Sequence, residues 1–191
     1  MKVVAFNGSP RKEGNTYLLV QKVFDELRKE GIETEYVHIG GKALRGCTAC
    51  YKCKETKDKR CALPNDGLNG YIEKMENAQG IILASPVYYS NVTAETAALI
   101  SRAGFVSTAN GRILKRKVGA PVVAVRRAGA NVVYSNLNFF FGIQEMIVPG
   151  SSYWNHGIGR DIGDVLKDEE GLATMTILGQ NMAWLLKKLY R

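Results

Sequence analysis

Cys47, Cys50, Cys53 and Cys61 are spaced CxxCxxCx7C and are the only cysteines in the 191 residues. Scattered structural cysteines do not cluster in this way, and a soluble chain of a reducing compartment is not expected to carry disulfides. Three thiolates at successive two-residue gaps can wrap one face of an iron–sulfur cubane and a fourth can close it, as in the cysteine run of bacterial ferredoxins. Zinc, or no metal at all, is the alternative. Structural zinc sites more often separate two CxxC knuckles by a longer stretch, so the spacing favours a [4Fe–4S] cluster.

A second chemistry is suggested by Gly8-Ser9-Pro10-Arg11-Lys12-Glu13-Gly14-Asn15-Thr16. This loop follows an apolar run and opens a helical pattern, so free N–H groups and the positive helix end would face an anion. Ser9, Arg11, Asn15 and Thr16 add donors. The pattern is neither GxGxxG nor a Walker A loop, which argues against a dinucleotide or NTP hydrolysis and suits a terminal phosphate monoester. The bland alternative is a capped helix after a turn, with Asn15 or Thr16 as N-cap. Two further loops, Ser85-Pro86-Val87-Tyr88-Tyr89-Ser90-Asn91 and Arg126-Arg127-Ala128-Gly129, offer aromatic faces, amides and cationic donors for a flat ring. Three such loops at one edge favour flavin mononucleotide (FMN). His38 and His156 carry no pattern and are expected to have no chemistry.

These loops need a scaffold that brings them to one edge. Apolar runs at Lys2–Phe6, Glu33–Ile39, Gly80–Ala84, Pro121–Val125 and Glu145–Val148 read as strands. Helical spacing covers Thr16–Glu30, Leu68–Asn77, Thr93–Asn110, Asn131–Gly142 and Glu169–Tyr190. The alternation predicts an α/β fold, a doubly wound five-stranded parallel sheet of order 2-1-3-4-5 with helices on both faces. Ligands of such sheets bind at the carboxyl ends of the strands, near the switch point. A single domain over residues 1–191 is expected, with a cysteine-rich loop, 40–67, inserted after the second strand. Residues 149–167 form a second connection too long for mere linkage.

Charge sharpens the picture. The net charge of +8 invites nucleic acid or an anionic membrane as partner, but its distribution is local. Residues 42–60 carry +5 and residues 102–127 carry +7, leaving −4 elsewhere. The basic blocks lie in or near the cofactor loops and no nucleic-acid module is evident, so anionic cofactors and an acidic protein partner are expected. The charges of 54–60 could lower the thiolate pKa of the neighbouring cysteines. No apolar run approaches a membrane span, and MKVVAFNGSP is a poor signal peptide, so a cytoplasmic location is expected.

GSPRKEGNT, SPVYYSN and AVRRAG in this order resemble the NADPH-dependent FMN reductase group of flavodoxin-like proteins. The cysteine loop resembles the compact cluster motif of the iron–sulfur flavoproteins. The resemblance spans nearly the whole chain, including PGSSYWN and GRD near the end. It implies a flavodoxin-like fold, one FMN per subunit, a [4Fe–4S] cluster on the four cysteines, and a homodimer or homotetramer. By position, Ser9, Arg11, Gly14, Asn15 and Thr16 would hold the phosphate. Pro86, Val87, Tyr88, Tyr89 and Asn91 would hold the ribityl chain and ring, and Arg127, Ala128 and Gly129 the ring edge. The function expected is an oxidoreductase that takes electrons from a ferredoxin-like acidic donor, or from NAD(P)H, to a small-molecule acceptor, with the chemistry carried by FMN and no catalytic side chain. Two alternatives are a cluster-free NAD(P)H:FMN or quinone reductase and a zinc-stapled, non-catalytic flavodoxin-like binding protein.

Overall fold

Alternation along Lys2–Asn7 (β1) sends Val4 and Phe6 into one apolar layer and Val3 and Ala5 into the other, as a strand buried on both faces requires. The computed structural model describes residues 1–63 and 66–190. Pro64 and Asn65, within the expected 40–67 loop, and Arg191 at the end of the expected domain lie outside the described residues. The other elements are α1 (Asn15–Lys29), β2 (Glu33–His38), α2 (Lys52–Thr56), α3 (Leu68–Asn77), β3 (Gly80–Pro86), α4 (Ala94–Ala109), β4 (Val118–Val125), α5 (Ala130–Ile143), β5 (His156–Ile158) and α6 (Glu169–Leu189).

The five strands form one parallel sheet in the order β2-β1-β3-β4-β5. Leu19, Val23 and Leu27 of α1 pack with Met175, Leu178 and Met182 of α6 on one face. Leu68, Ile72 and Met75 of α3, Leu99 and Val106 of α4, and Val133, Leu137 and Phe141 of α5 cover the other. No described helix is long and apolar enough to cross a membrane.

The fifth strand is not Glu145–Val148. The α5 helix runs on to Ile143, and Glu145 adopts a left-handed φ of 57°, which breaks an extended run. Only Ile147 meets the sheet there, through an isolated parallel bridge to Val118. Pro149 then removes a ladder donor. Pairing resumes at His156–Ile158 beside Val123–Val125. The N-cap of α1 is Gly14, not Asn15 or Thr16, and it makes no side-chain cap.

Candidate functional site

Asn7, at the end of β1, braces the first loop. Its Oδ1 accepts from Ser9 N at 2.8 Å, and its Nδ2 donates to the Tyr36 hydroxyl at 2.9 Å. Tyr36 OH in turn donates to Lys12 O at 2.9 Å, while His38 Nε2 donates to Ser9 O at 2.8 Å. Tyr36 and His38 of β2 thus fix the turn that feeds α1, so His38 has a positioning role that its lack of pattern did not suggest. Ser9 Oγ accepts from Arg11 N at 3.2 Å. The first turn of α1 carries no acidic residue and no side-chain cap, which leaves the N–H groups of that turn to an anion.

Ser9, Arg11, Asn15, Thr16, Pro86, Val87 and Tyr88 line one cavity of about 170 Å³ at the strand ends, joined there by Ala124, Arg126, Gly159 and Arg160. Three arginines therefore share this cavity, and none of them is in an ion pair among the described residues. Arg11 Nη1 donates to Arg160 O at 3.2 Å, which ties the 149–167 connection to the first loop. Asn15 makes a similar tie: its Nδ2 donates to Asp161 O and its Oδ1 accepts from Gly163 N, each at 2.9 Å. Both ends of its carboxamide are thereby occupied by the chain itself.

Gly14, Tyr89, Asn91, Arg127, Ala128 and Gly129 do not line that cavity. Tyr89 and Ser90 sit at the tip of a two-residue turn, both left-handed, closed by paired Tyr88–Asn91 backbone hydrogen bonds of 2.9 Å. Tyr89 is fully exposed. Asn91 Oδ1 accepts from Val92 N at 2.8 Å and from Asn136 Nδ2 at 2.9 Å. Gly129 packs on the same turn: a Cβ there would stand 2.8 Å from Ser90 Oγ. Of the two adjacent arginines, Arg126 rather than Arg127 lines the cavity with Ala124.

A second, smaller cavity of about 20 Å³ lies on the cysteine loop. All four cysteines line it, with Tyr51, Leu63, Arg102, Phe105 and Val106 among their neighbours. Ala49, Tyr51, Lys57 and Lys59 have positive φ, so the loop is held in tight left-handed bends. No three His, Cys, Asp or Glu side chains among the described residues are gathered closely enough to hold a single metal ion. Burial pushes the Cys53 thiol up, and Cys61, Cys50 and Cys47 push it further, because neighbouring thiolates repel one another. The lysines around it do not reverse this, contrary to the expectation of a lowered thiolate pKa.

Arg102 was missed as a site residue. It projects from α4, is 1% exposed, and donates from Nε to Cys61 Sγ at 3.3 Å and from Nη1 to Arg45 O at 3.0 Å and to the Asp66 carboxylate. Its Nη2 has no partner among the described residues. Burial works against its charge, but Asp66 and Cys61 overcome this and hold its pKa above the ordinary value. The +7 block is not a flavin device as a whole. Arg112 and Lys115 pair with Glu145 at 3.0 and 2.6 Å, and Lys117 Nζ donates to the Glu76 and Ala78 carbonyls at 2.7 and 2.6 Å.

If the arginine cavity takes a phosphate, Arg11→Ala weakens FMN binding roughly ten- to hundredfold, the effect of one charge-assisted hydrogen bond. Riboflavin, which lacks the phosphate, should bind the variant and the parent equally. Flavin-fluorescence titrations check both.

Residues 1–161 match the family model described as NADPH-dependent FMN reductase. An iron–sulfur flavoprotein of Methanocaldococcus jannaschii is 38% identical, with 98% of each chain covered. The iron–sulfur flavoprotein of Methanosarcina thermophila is 31% identical over 92% of this chain and 90% of its own. Among solved structures, RosB with a bound flavin intermediate superposes with a TM-score of 0.80 at 21% identity, covering 99% of this chain and 80% of that one. The NAD(P)H:quinone oxidoreductase of Methanothermobacter marburgensis gives 0.67 at 14% identity, covering 95% and 96%. These structural likenesses bear on the fold.

Proposed function

The chain belongs to the NADPH-dependent FMN reductase family and is an FMN-dependent oxidoreductase, and we propose that it also uses a [4Fe–4S] cluster on Cys47, Cys50, Cys53 and Cys61. FMN exchanges one or two electrons and the cluster one at a time, so together they would join a one-electron donor to a two-electron acceptor. The observation that carries this reading is the gathering of all four cysteines around one cavity. The CxxCxxCx7C spacing supports a cluster over zinc, whose structural sites more often separate two CxxC knuckles by a longer stretch.

Arg11, Arg126, Arg160 and the first-turn N–H groups of α1 would take the FMN phosphate. A cavity of about 170 Å³ is smaller than the usual site for a whole cofactor, so the flat ring would lie outside it, along the 86–91 turn and the 127–129 loop. Exposed Lys52, Lys54, Lys57 and Arg60 around the cysteines suit an acidic ferredoxin-like donor. The exposed α5 residues Val132, Phe139 and Ile143 suit a homodimer or larger homo-oligomer.

Anaerobic stopped-flow reduction tests the route. Reduced ferredoxin should bleach the flavin at a rate that falls with ionic strength and is lost in a cysteine variant. NADPH bleaching parent and cysteine variant equally fast, with ferredoxin inert, would make the chain a cluster-free reductase.

A further inference from the structure

Arg102 occupies a position that apolar residues fill elsewhere on its helix. Leu99, Ala103 and Val106 form the buried stripe of α4, and a guanidinium stands in line with them. Taking a full charge out of water is costly unless it is paired and hydrogen-bonded. Here the pairing is incomplete in a particular way. Nη1 meets Asp66 and Arg45 O, Nε meets Cys61 Sγ at 3.3 Å, and Nη2 has no partner among the described residues. The residue lines the cysteine cavity itself.

Asp66 is similarly committed. It accepts from Arg45 N at 3.4 Å and Leu68 N at 3.3 Å as well as from Arg102. Burial would raise its carboxyl, but Arg102 and the Leu68 N–H outweigh this and hold its pKa below the ordinary value. The guanidinium thus meets both a cysteine sulfur and a carboxylate. A merely structural pair would not need the sulfur contact.

We infer that Arg102 sets the reduction potential of a cluster on the four cysteines, acting through the Cys61 sulfur, and that Asp66 offsets part of its effect. The inference rests on the cluster reading proposed above. Reduction adds negative charge to the centre, so a fixed cation and an N–H···S bond favour the reduced state and raise the potential. Removing the cation lowers the potential, whereas removing the Asp66 charge exposes the cation more fully and raises it. Arg102 is a positioning residue, not a ligand. A lysine could keep the charge but not the fork that spans Cys61, Arg45 and Asp66 at once.

The test is an anaerobic redox titration followed by electron paramagnetic resonance on wild type, Arg102→Gln, Arg102→Lys and Asp66→Asn, with iron counted in each. Arg102→Gln should shift the reduction equilibrium at least about tenfold toward the oxidised form, which is about 59 mV downward for a one-electron couple. Asp66→Asn should move it upward, and Arg102→Lys should fall between wild type and Arg102→Gln. Full iron content with unchanged potentials, or shifts of one sign in both Arg102→Gln and Asp66→Asn, would overturn the inference while leaving the cluster reading intact. Wild type that takes up no iron and sulfide on reconstitution would overturn the cluster reading itself. If Arg102→Gln cannot retain iron, Asp66→Asn decides alone: a potential that does not rise overturns the role.

Discussion

Cys50→Ala is expected to lose most of its iron, from about four per chain to below about one, while FMN affinity stays within about twofold. Cys47, Cys50 and Cys53 come from one run, and Cys61 reaches the same cavity from beyond α2. A cluster held from two sides by four ligands cannot lose one without opening to solvent. The arginine cavity shares no residue with the cysteine cavity, so the first loop and its bracing from β2 should be untouched. Iron and sulfide analysis beside a flavin titration reads both effects in one preparation. A variant with all its iron would remove Cys50 from the ligand set.

Gly40→Ala should cripple flavin binding although Gly40 does not itself line the cavity. Gly40 follows β2 closely, and its N donates to Asn7 O at 3.2 Å. A Cβ there would stand 1.9 Å from Ser9 O, 2.3 Å from Ser9 C and 2.8 Å from Pro10 N. All three atoms are backbone, so no rotamer relieves the clash. The loop cannot swing away cheaply either, because His38 Nε2 holds Ser9 O and Tyr36 holds Lys12 O. The expected result is an FMN affinity at least about a hundredfold weaker and a loss of about 3 kcal/mol or more in urea unfolding. Gly70→Ala is the control. It lies within α3 with nothing within 4 Å of its Cβ position, and should gain roughly 0.5–1 kcal/mol.

The four parallel strands β1 to β4 and the long helices were legible because each carries an unbroken periodic signal, and the loop of residues 8–16 because it interrupts that signal at a strand end. The fifth strand was not legible. His156–Ile158 has three residues with a glycine at the centre, whereas Glu145–Val148 looks more strand-like but follows a helix that overruns it. Arg126 and Arg127 are indistinguishable by type, and only the direction in which β4 leaves the sheet selects one. Arg160 lay in a segment marked by its length and by the GRD resemblance, with no role assigned to the residue itself. Arg102 did leave a trace: it sits three residues after Leu99 and four before Val106, on the stripe that a helix buries. In the sequence it counts only as one charge of the 102–127 basic block, with no role of its own. Its contact with Cys61, 41 residues away in sequence, is a product of the fold.

The central claim, one chain holding FMN at the strand ends and a [4Fe–4S] cluster on the cysteine loop, is tested most directly by composition. Protein purified or reconstituted without oxygen is assayed for flavin, iron, sulfide and zinc per chain. The expected result is about one FMN with about four irons and four sulfides. Stoichiometric zinc in place of iron, or iron without flavin, would contradict it.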